Sequence, residues 1–218
     1  GIGAATAKNF AKNGHSLILT FCHNQSAMDQ VVLECQKLGA AQVVAKQLCL
    51  ENNSNIAQVA SELSKEFSEI DILINNAGFL KDGYLSDISF EEIDTTFAVN
   101  ISGLIKLTKS LLPSIKFSVI NVGSILGVYP KRKLAAYIAS KFAVRGFTKS
   151  LAHDAPHLKV LTVNPSLTNT KMSGSSSGME PEKVVEIVYQ AAIGGYRAKS
   201  GSDINVRDYQ YGELASHL

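Results

Sequence analysis

Short apolar runs at 16–21, 42–48, 70–75, 118–122 and 160–163 alternate with segments of helical spacing at 1–13, 27–38, 54–67, 90–112, 135–154 and 182–192. The runs are continuously apolar, which suits strands buried on both faces of a parallel sheet. Parallel neighbours need long crossover connections, and the intervening helices supply them. The pattern therefore predicts a doubly wound parallel α/β sheet with helices on both faces, a three-layer sandwich. Local signals agree. Asn13-Gly14 offers a helix stop, Asn53 an N-cap, and Pro181 opens the last helix where its missing N–H costs nothing. Residues 201–206 read as a last strand and the Ser/Gly-rich 173–180 as a flexible loop, while 207–218 carry no readable signal.

A chain of 218 residues, 45% hydrophobic and 18% charged, can bury one good core, so a single domain over 1–218 is expected. The 21 basic and 19 acidic residues are dispersed, with no basic block of the kind that tracks a phosphate backbone, so nucleic acid is not an expected partner. No apolar run approaches the ~20 residues of a membrane span, and a cytoplasmic protein away from membranes is expected. Cys22, Cys35 and Cys49 show neither Cys-x-x-Cys nor a His/Cys ligand spacing. They read as reduced, mostly buried thiols, with no disulfide and no metal site.

Candidate chemistry sits at a few positions. Tyr137 and Lys141 are four residues apart, which on a helix puts phenol and ammonium on one face. The cation would favour phenolate and draw the tyrosine down from its usual value of roughly 10. By itself the pair is weak, since helices often bring tyrosine and lysine together on an ordinary face. Ser124 strengthens it: it follows the run 119–122 at Gly123, at a strand end of the kind that presents groups to ligand in an open α/β sheet. Asn75-Asn76-Ala77-Gly78 closes another strand and alone is a turn signal. Asn100 stands in the middle of an apolar helix, where asparagine is unfavourable unless something holds it.

Together Ser124, Tyr137, Lys141, Asn75-Asn76-Ala77-Gly78 and the opening Gly1-Ile2-Gly3 resemble the short-chain dehydrogenase/reductase family, over nearly the whole chain but more thinly beyond Met172. The resemblance implies a Rossmann-type fold and hydride transfer between a nicotinamide cofactor and a small carbonyl or secondary alcohol substrate, without metal. It implies Tyr137 as general acid in reduction and base in oxidation, and Ser124 as the group orienting the substrate oxygen. Lys141 would tune Tyr137 and hold the nicotinamide ribose, and Asn100 would hold a water that links the lysine to solvent.

Cofactor contacts implied in the same way are Gly1, Ile2 and Gly3 at the pyrophosphate, and Asn76, Ala77 and Gly78 beside the adenine ribose. Cys49 and Leu50 would lie beside adenine, with Cys49 where the family has aspartate. Pro165, Thr168 and Thr170 would lie at the nicotinamide end, where Ser166 replaces a glycine. After the run 17–21 comes Cys22-His23-Asn24-Gln25, without a carboxylate, and His23 stands where a basic residue meets a 2′-phosphate. The expectation is NADP over NAD. Phe79, Leu80, Leu126, Val128 and Tyr129 are expected to wall an apolar pocket.

In the resembled family a strand and a glycine turn precede Gly-x-Gly, and the natural protein is expected to have them, because an unpaired central strand position is costly. A homodimer or homotetramer is implied through the helices bearing Asn100 and Tyr137, with Phe142, Ala143 and Phe147 as candidate contacts. A non-catalytic nucleotide-sensing or scaffold protein on the same fold is the alternative, and an epimerase or dehydratase would need more chain.

Overall fold

The computed structural model describes residues 1–170, 172–174 and 177–209. The alternation is realised as α1 (Ile2–Lys12), β1 (Leu17–Phe21), α2 (Gln25–Lys37), β2 (Val43–Gln47), α3 (Asn53–Glu66) and β3 (Ile70–Asn75). These are followed by α4 (Phe90–Phe97), α5 (Leu104–Leu111), β4 (Ile115–Val122), α6 (Ala135–Asp154), β5 (Lys159–Asn164), α7 (Pro181–Ala192) and β6 (Asp203–Asn205). Every strand pairing is parallel. Helices α1, α2 and α7 pack together on one face, and α3, α5 and α6 cover the other.

The sheet is in two pieces, β1-β2 and β3-β4-β5-β6. Strands β1 and β3 both line one continuous cavity of about 1260 Å³, so each has a ladder partner on one edge only, β2 and β4 respectively, and borders a slot on the other. On the β3–β6 side the core is dense. Val119, Ile120, Val160, Leu161 and Val163 are fully buried, as expected of strands covered on both faces.

Four expectations need correction. The N-cap of α3 is Asn52, whose side chain accepts from the Asn55 N–H at 3.0 Å. The single helix expected over 90–112 is interrupted by a π-helical segment, Ala98–Gly103, that contains Asn100. Such wide turns gather at functional positions. Here Gly103 lies against Leu50 so closely that a methyl would come within 2.6 Å of the leucine Cβ.

Part of the loop expected over 173–180 is anchored: Thr168 bridges Met179, and the Gly178 N–H donates to Asn169 Oδ1 at 2.5 Å. Residues 175–176 of that loop, and 210–218 of the uninterpreted tail, lie outside the described residues. Finally, Cys22 and Cys49 form a disulfide with Cα atoms 4.7 Å apart, leaving only Cys35 as a free, buried thiol. Parallel pairing of Phe21 with Gln47 carries the two cysteines side by side, a proximity that 27 residues of sequence separation hide.

Candidate active site

At the C-terminal end of β4 the chain turns through Gly123 into Ser124, which is 8% exposed. The turn is held from the next strand: the Ser124 N–H donates to Asn164 Oδ1 at 3.2 Å, and the Gly123 N–H donates to the Val163 carbonyl at 2.8 Å. Glycine is needed for space, because a methyl would strike the Asn164 carboxamide and approach Thr162 Cγ2 to 2.7 Å. Gly123→Ala is expected to cost about 1–3 kcal/mol through overpacking and to lower kcat by displacing Ser124. Urea unfolding and steady-state rates check this; wild-type values of both would refute the steric account.

Helix α6 presents Tyr137 and Lys141 to the same place. Lys141, 4% exposed, donates from Nζ to the Val122 carbonyl at 2.9 Å, and Nζ lies 5.6 Å from the centre of the Tyr137 ring. Burial without an anionic partner lowers its pKa to about 8. Tyr137 is 7% exposed, and burial pushes its phenol up, while a hydrogen bond with Ser124 pulls the other way. The expectation that Lys141 draws Tyr137 down is therefore not met here. Desolvation of the phenolate wins.

Asn100 is 1% exposed and fully engaged. Its Oδ1 accepts from the Phe79 N–H at 2.7 Å, and its Nδ2 donates to the Phe79 carbonyl and Ser140 Oγ, each at 2.9 Å. The side chain clamps the loop after β3, which is the ordinary reading of a helix asparagine satisfied by neighbouring backbone. It still borders the site, since a methyl on Gly78 would lie 3.5 Å from Asn100 Oδ1 and 3.8 Å from Lys141 Nζ.

Beneath these residues runs a buried polar network that the sequence reading missed. Asn75 Nδ2 donates to Asn121 Oδ1 at 2.8 Å and Thr108 Oγ1 at 3.0 Å, Asn121 Nδ2 to Thr148 Oγ1 at 2.9 Å, and Thr162 Oγ1 to Thr148 at 2.8 Å. Strands β3, β4 and β5 are thereby tied to α5 and α6 under the catalytic candidates. Polar residues inside otherwise apolar strands were the available signal.

The cavity between the strands continues past these groups to the start of α1. Gly1, Ile2, Gly3, Leu50, Asn76, Ala77, Gly78, Ser124, Tyr137, Lys141, Pro165, Thr168 and Thr170 all line it, whereas Asn100 and Cys49 do not. Gly3 lies against the Asn76 carboxamide, near enough that a methyl would come to 2.5 Å of Nδ2, and Thr170 is within 4.0 Å of a methyl placed on Gly1. The first turn of α1 carries no acidic residue, and its Thr6 hydroxyl is buried without a partner. That combination of small residues, open N–H groups and an orphan hydroxyl suits a dinucleotide pyrophosphate.

Thr168 is partly committed, donating to the Ser166 carbonyl at 2.9 Å. Ser166 is not in the left-handed region; among described non-glycine residues only Lys133 is, so the missing glycine causes no strain. His23 is 84% exposed at its side chain and lies 3.9 Å from Glu51, so the carboxylate absent from the loop after β1 arrives from the loop after β2. Of the expected apolar wall, Phe79, Leu80 and Leu126 line the cavity, but Val128 and Tyr129 do not; Tyr129 lies under Arg207 at 3.9 Å.

A family model described as short chain dehydrogenase matches residues 1–181. The chain belongs to the short-chain dehydrogenase family. It is an NAD(P)-linked oxidoreductase of the kind that acts on CH–OH and carbonyl groups. It is similar to the 3-oxoacyl-(acyl-carrier-protein) reductase of Synechocystis sp., 28% identical over 89% of this chain and 79% of the relative. It is likewise similar to the 3alpha-hydroxysteroid dehydrogenase of Mediterraneibacter gnavus, 28% identical over 85% and 75%. A short chain dehydrogenase from Burkholderia cenocepacia J2315, crystallised in complex with NADP, superposes with TM-score 0.86 at 26% identity, covering 94% of this chain and 91% of that one. Among the described residues no helix is long and apolar enough to cross a membrane.

Proposed function

We propose that this dehydrogenase transfers a hydride reversibly between NADP(H) and a carbonyl or secondary alcohol, with Tyr137 as the proton donor and acceptor. The observation that carries the reading is the meeting of three groups at the end of β4: the buried Tyr137 phenol, which Ser124 is near enough to influence, and the Lys141 ammonium 5.6 Å from the same ring. When bound, the nicotinamide supplies the hydride in reduction and accepts it in oxidation. Tyr137 gives its proton to the substrate oxygen in one direction and takes it in the other. Ser124 donates to that oxygen and stabilises charge developing on it. Lys141 keeps a cation beside the phenol and faces the nicotinamide ribose, and Asn100 acts as a positioning residue through Phe79.

The apolar lining at Phe79, Leu80 and Leu126 favours a substrate with a hydrophobic body. Oxidation of NADPH followed by absorbance across ketones, aldehydes and acyl-thioester carbonyls tests the reading. Turnover of any of these supports it, and tight NADPH binding without turnover would point to a nucleotide sensor.

NADP is supported by the neighbouring NADP complex and by the loop Cys22-His23-Asn24, which has no carboxylate. Glu51, 3.9 Å from His23, opposes a 2′-phosphate. Glu51→Gln is therefore expected to tighten NADPH severalfold and leave NADH unchanged; a parallel gain for both in fluorescence titration would sink this account. The slot between β1 and β3 supports one further parallel strand ahead of Gly1, completing a single domain. Exposed Phe97 on α4 and Phe142 on the adjoining α6 support a homodimer or homotetramer, whereas Phe147 packs into the chain's own core.

A further inference from the structure

Four side chains meet at the rim of the cleft just past the ends of β1 and β2: Cys22, His23, Cys49 and Glu51, with ligand atoms all within 4.8 Å of one another. The disulfide accounts for only one of their contacts. His23 Nε2 lies 3.3 Å and Glu51 Oε1 3.6 Å from the same sulfur, that of Cys22, and the imidazole and carboxylate are 3.9 Å apart. A disulfide sulfur has no proton to donate and accepts only weakly, so it gives neither group a reason to be there. Nor does the bond hold apart strands together, for β1 and β2 already pair along their whole length, from Leu17 with Val43 to Phe21 with Gln47.

Two of the separations, 3.3 and 3.6 Å, fall on the edges of a coordination tetrahedron, which the two sulfurs complete only when the disulfide is opened and they part. Zinc bonds of about 2.3 Å to sulfur and about 2.0–2.2 Å to nitrogen and oxygen put neighbouring ligand atoms roughly 3.3–3.8 Å apart. The backbones that carry the ligands are fixed: Gln47 Nε2 donates to the Cys22 carbonyl at 2.8 Å, and the Cys49 N–H donates to Asn55 Oδ1 at 2.7 Å. We infer that the reduced protein binds one zinc ion through the thiolates of Cys22 and Cys49, the His23 imidazole and the Glu51 carboxylate.

The same positions then have two exclusive states, a metal-free disulfide and a zinc-bound dithiolate. A dithiol reductant converts the first to the second by giving two electrons to the S–S bond and ending as its own disulfide. The two cysteine thiols formed release their protons to solvent as zinc binds. Two thiolates and an imidazole select zinc over magnesium or calcium. Cys22, His23 and Glu51 also line the cleft, so the loaded cluster competes with the adenosine end of the cofactor. This last consequence alone rests on the proposed NADP(H) reading.

The test uses protein reduced with dithiothreitol, freed of it by anaerobic gel filtration, and titrated with Co²⁺ and then Zn²⁺. One equivalent of Co²⁺ is expected to develop thiolate charge-transfer and tetrahedral d–d absorption that Zn²⁺ abolishes, while the oxidised protein develops neither. Cys35→Ser is expected to bind as wild type does. Cys49→Ser, which leaves the Cys22 thiolate, is expected to lose much of the charge-transfer intensity. His23→Ala and Glu51→Gln should each weaken binding by about tenfold or more, since even outer-shell partners of metals are worth that. His23 is 84% exposed, so its replacement leaves the fold alone.

Absence of the cobalt spectrum in the reduced protein, equal binding by the oxidised form, or wild-type affinity in His23→Ala would each overturn the site. Zinc is expected to raise the apparent Kd for NADPH in the reduced protein alone. Zinc binding that leaves NADPH untouched rejects only the competition, and a failure of NADPH to bind at all rejects the cofactor reading while the cobalt titration still reports on the site.

Discussion

Tyr137→Phe is expected to lower kcat about 10²–10⁴-fold, the range that a positioned proton donor contributes, while the Kd for NADPH stays within about twofold. The substitution is confined to one atom. Tyr137 is 7% exposed, so the ring remains packed on α6, and the lost partner is Ser124, whose unmade hydrogen bond costs about 1 kcal/mol. A drop in rate therefore reads as chemistry and not as unfolding. The stronger form of the test combines it with Ser124→Ala. Both hydroxyls face one substrate oxygen in the proposed mechanism, so the double variant should be scarcely slower than Tyr137→Phe alone. Multiplying losses would mean that the two act independently, and an unimpaired Tyr137→Phe enzyme would remove the tyrosine from the mechanism.

The elements with long, consistent patterns were legible: β3 runs over Ile70–Asn75 and α6 over Ala135–Asp154, as their apolar and helical spacing required. Ser124, Tyr137 and Lys141 converge because a strand end and a helix face, both readable, happen to meet. What stayed hidden depends on contacts between distant segments. Asn100 looked like a functional intruder in a helix, yet its amide is spent on Phe79 and Ser140, partners 21 and 40 residues away. Cys22 and Cys49 lacked any motif spacing and are joined by strand register. Glu51 carries no signal in the sequence, because only that same register sets it opposite His23. The sign of the Tyr137 shift failed for an energetic reason: helix spacing reports proximity to a cation, whereas burial of both groups governs which charge survives.

Lys141→Met should remove activity and, at high pH, cancel a stability gain that the wild-type protein shows. The side chain is 4% exposed and burial lowers its pKa from 10.5 to about 8. At about pH 7 both folded and unfolded chains carry the charge, so the fold bears the full cost of burying it. Between about 8 and 10.5 the folded protein gives up the proton while the unfolded chain keeps it. The unfolded state then binds more protons, and stability must rise with pH, at up to about 1.4 kcal/mol per unit. The wild-type ΔG of unfolding, taken relative to Lys141→Met at each pH to cancel every other titration, is expected to climb by roughly 2–3 kcal/mol from about pH 8 to about pH 10. Methionine keeps the length of the stem but leaves the Val122 carbonyl unpaired, an offset that is constant with pH and so does not disturb the slope. Urea midpoints at four pH values measure it. A flat difference would mean that Lys141 is paired or hydrated in solution and that its ammonium is not held in reserve by burial. A rising one would show that this fold keeps, beside Tyr137, a cation whose charge burial makes easy to lose.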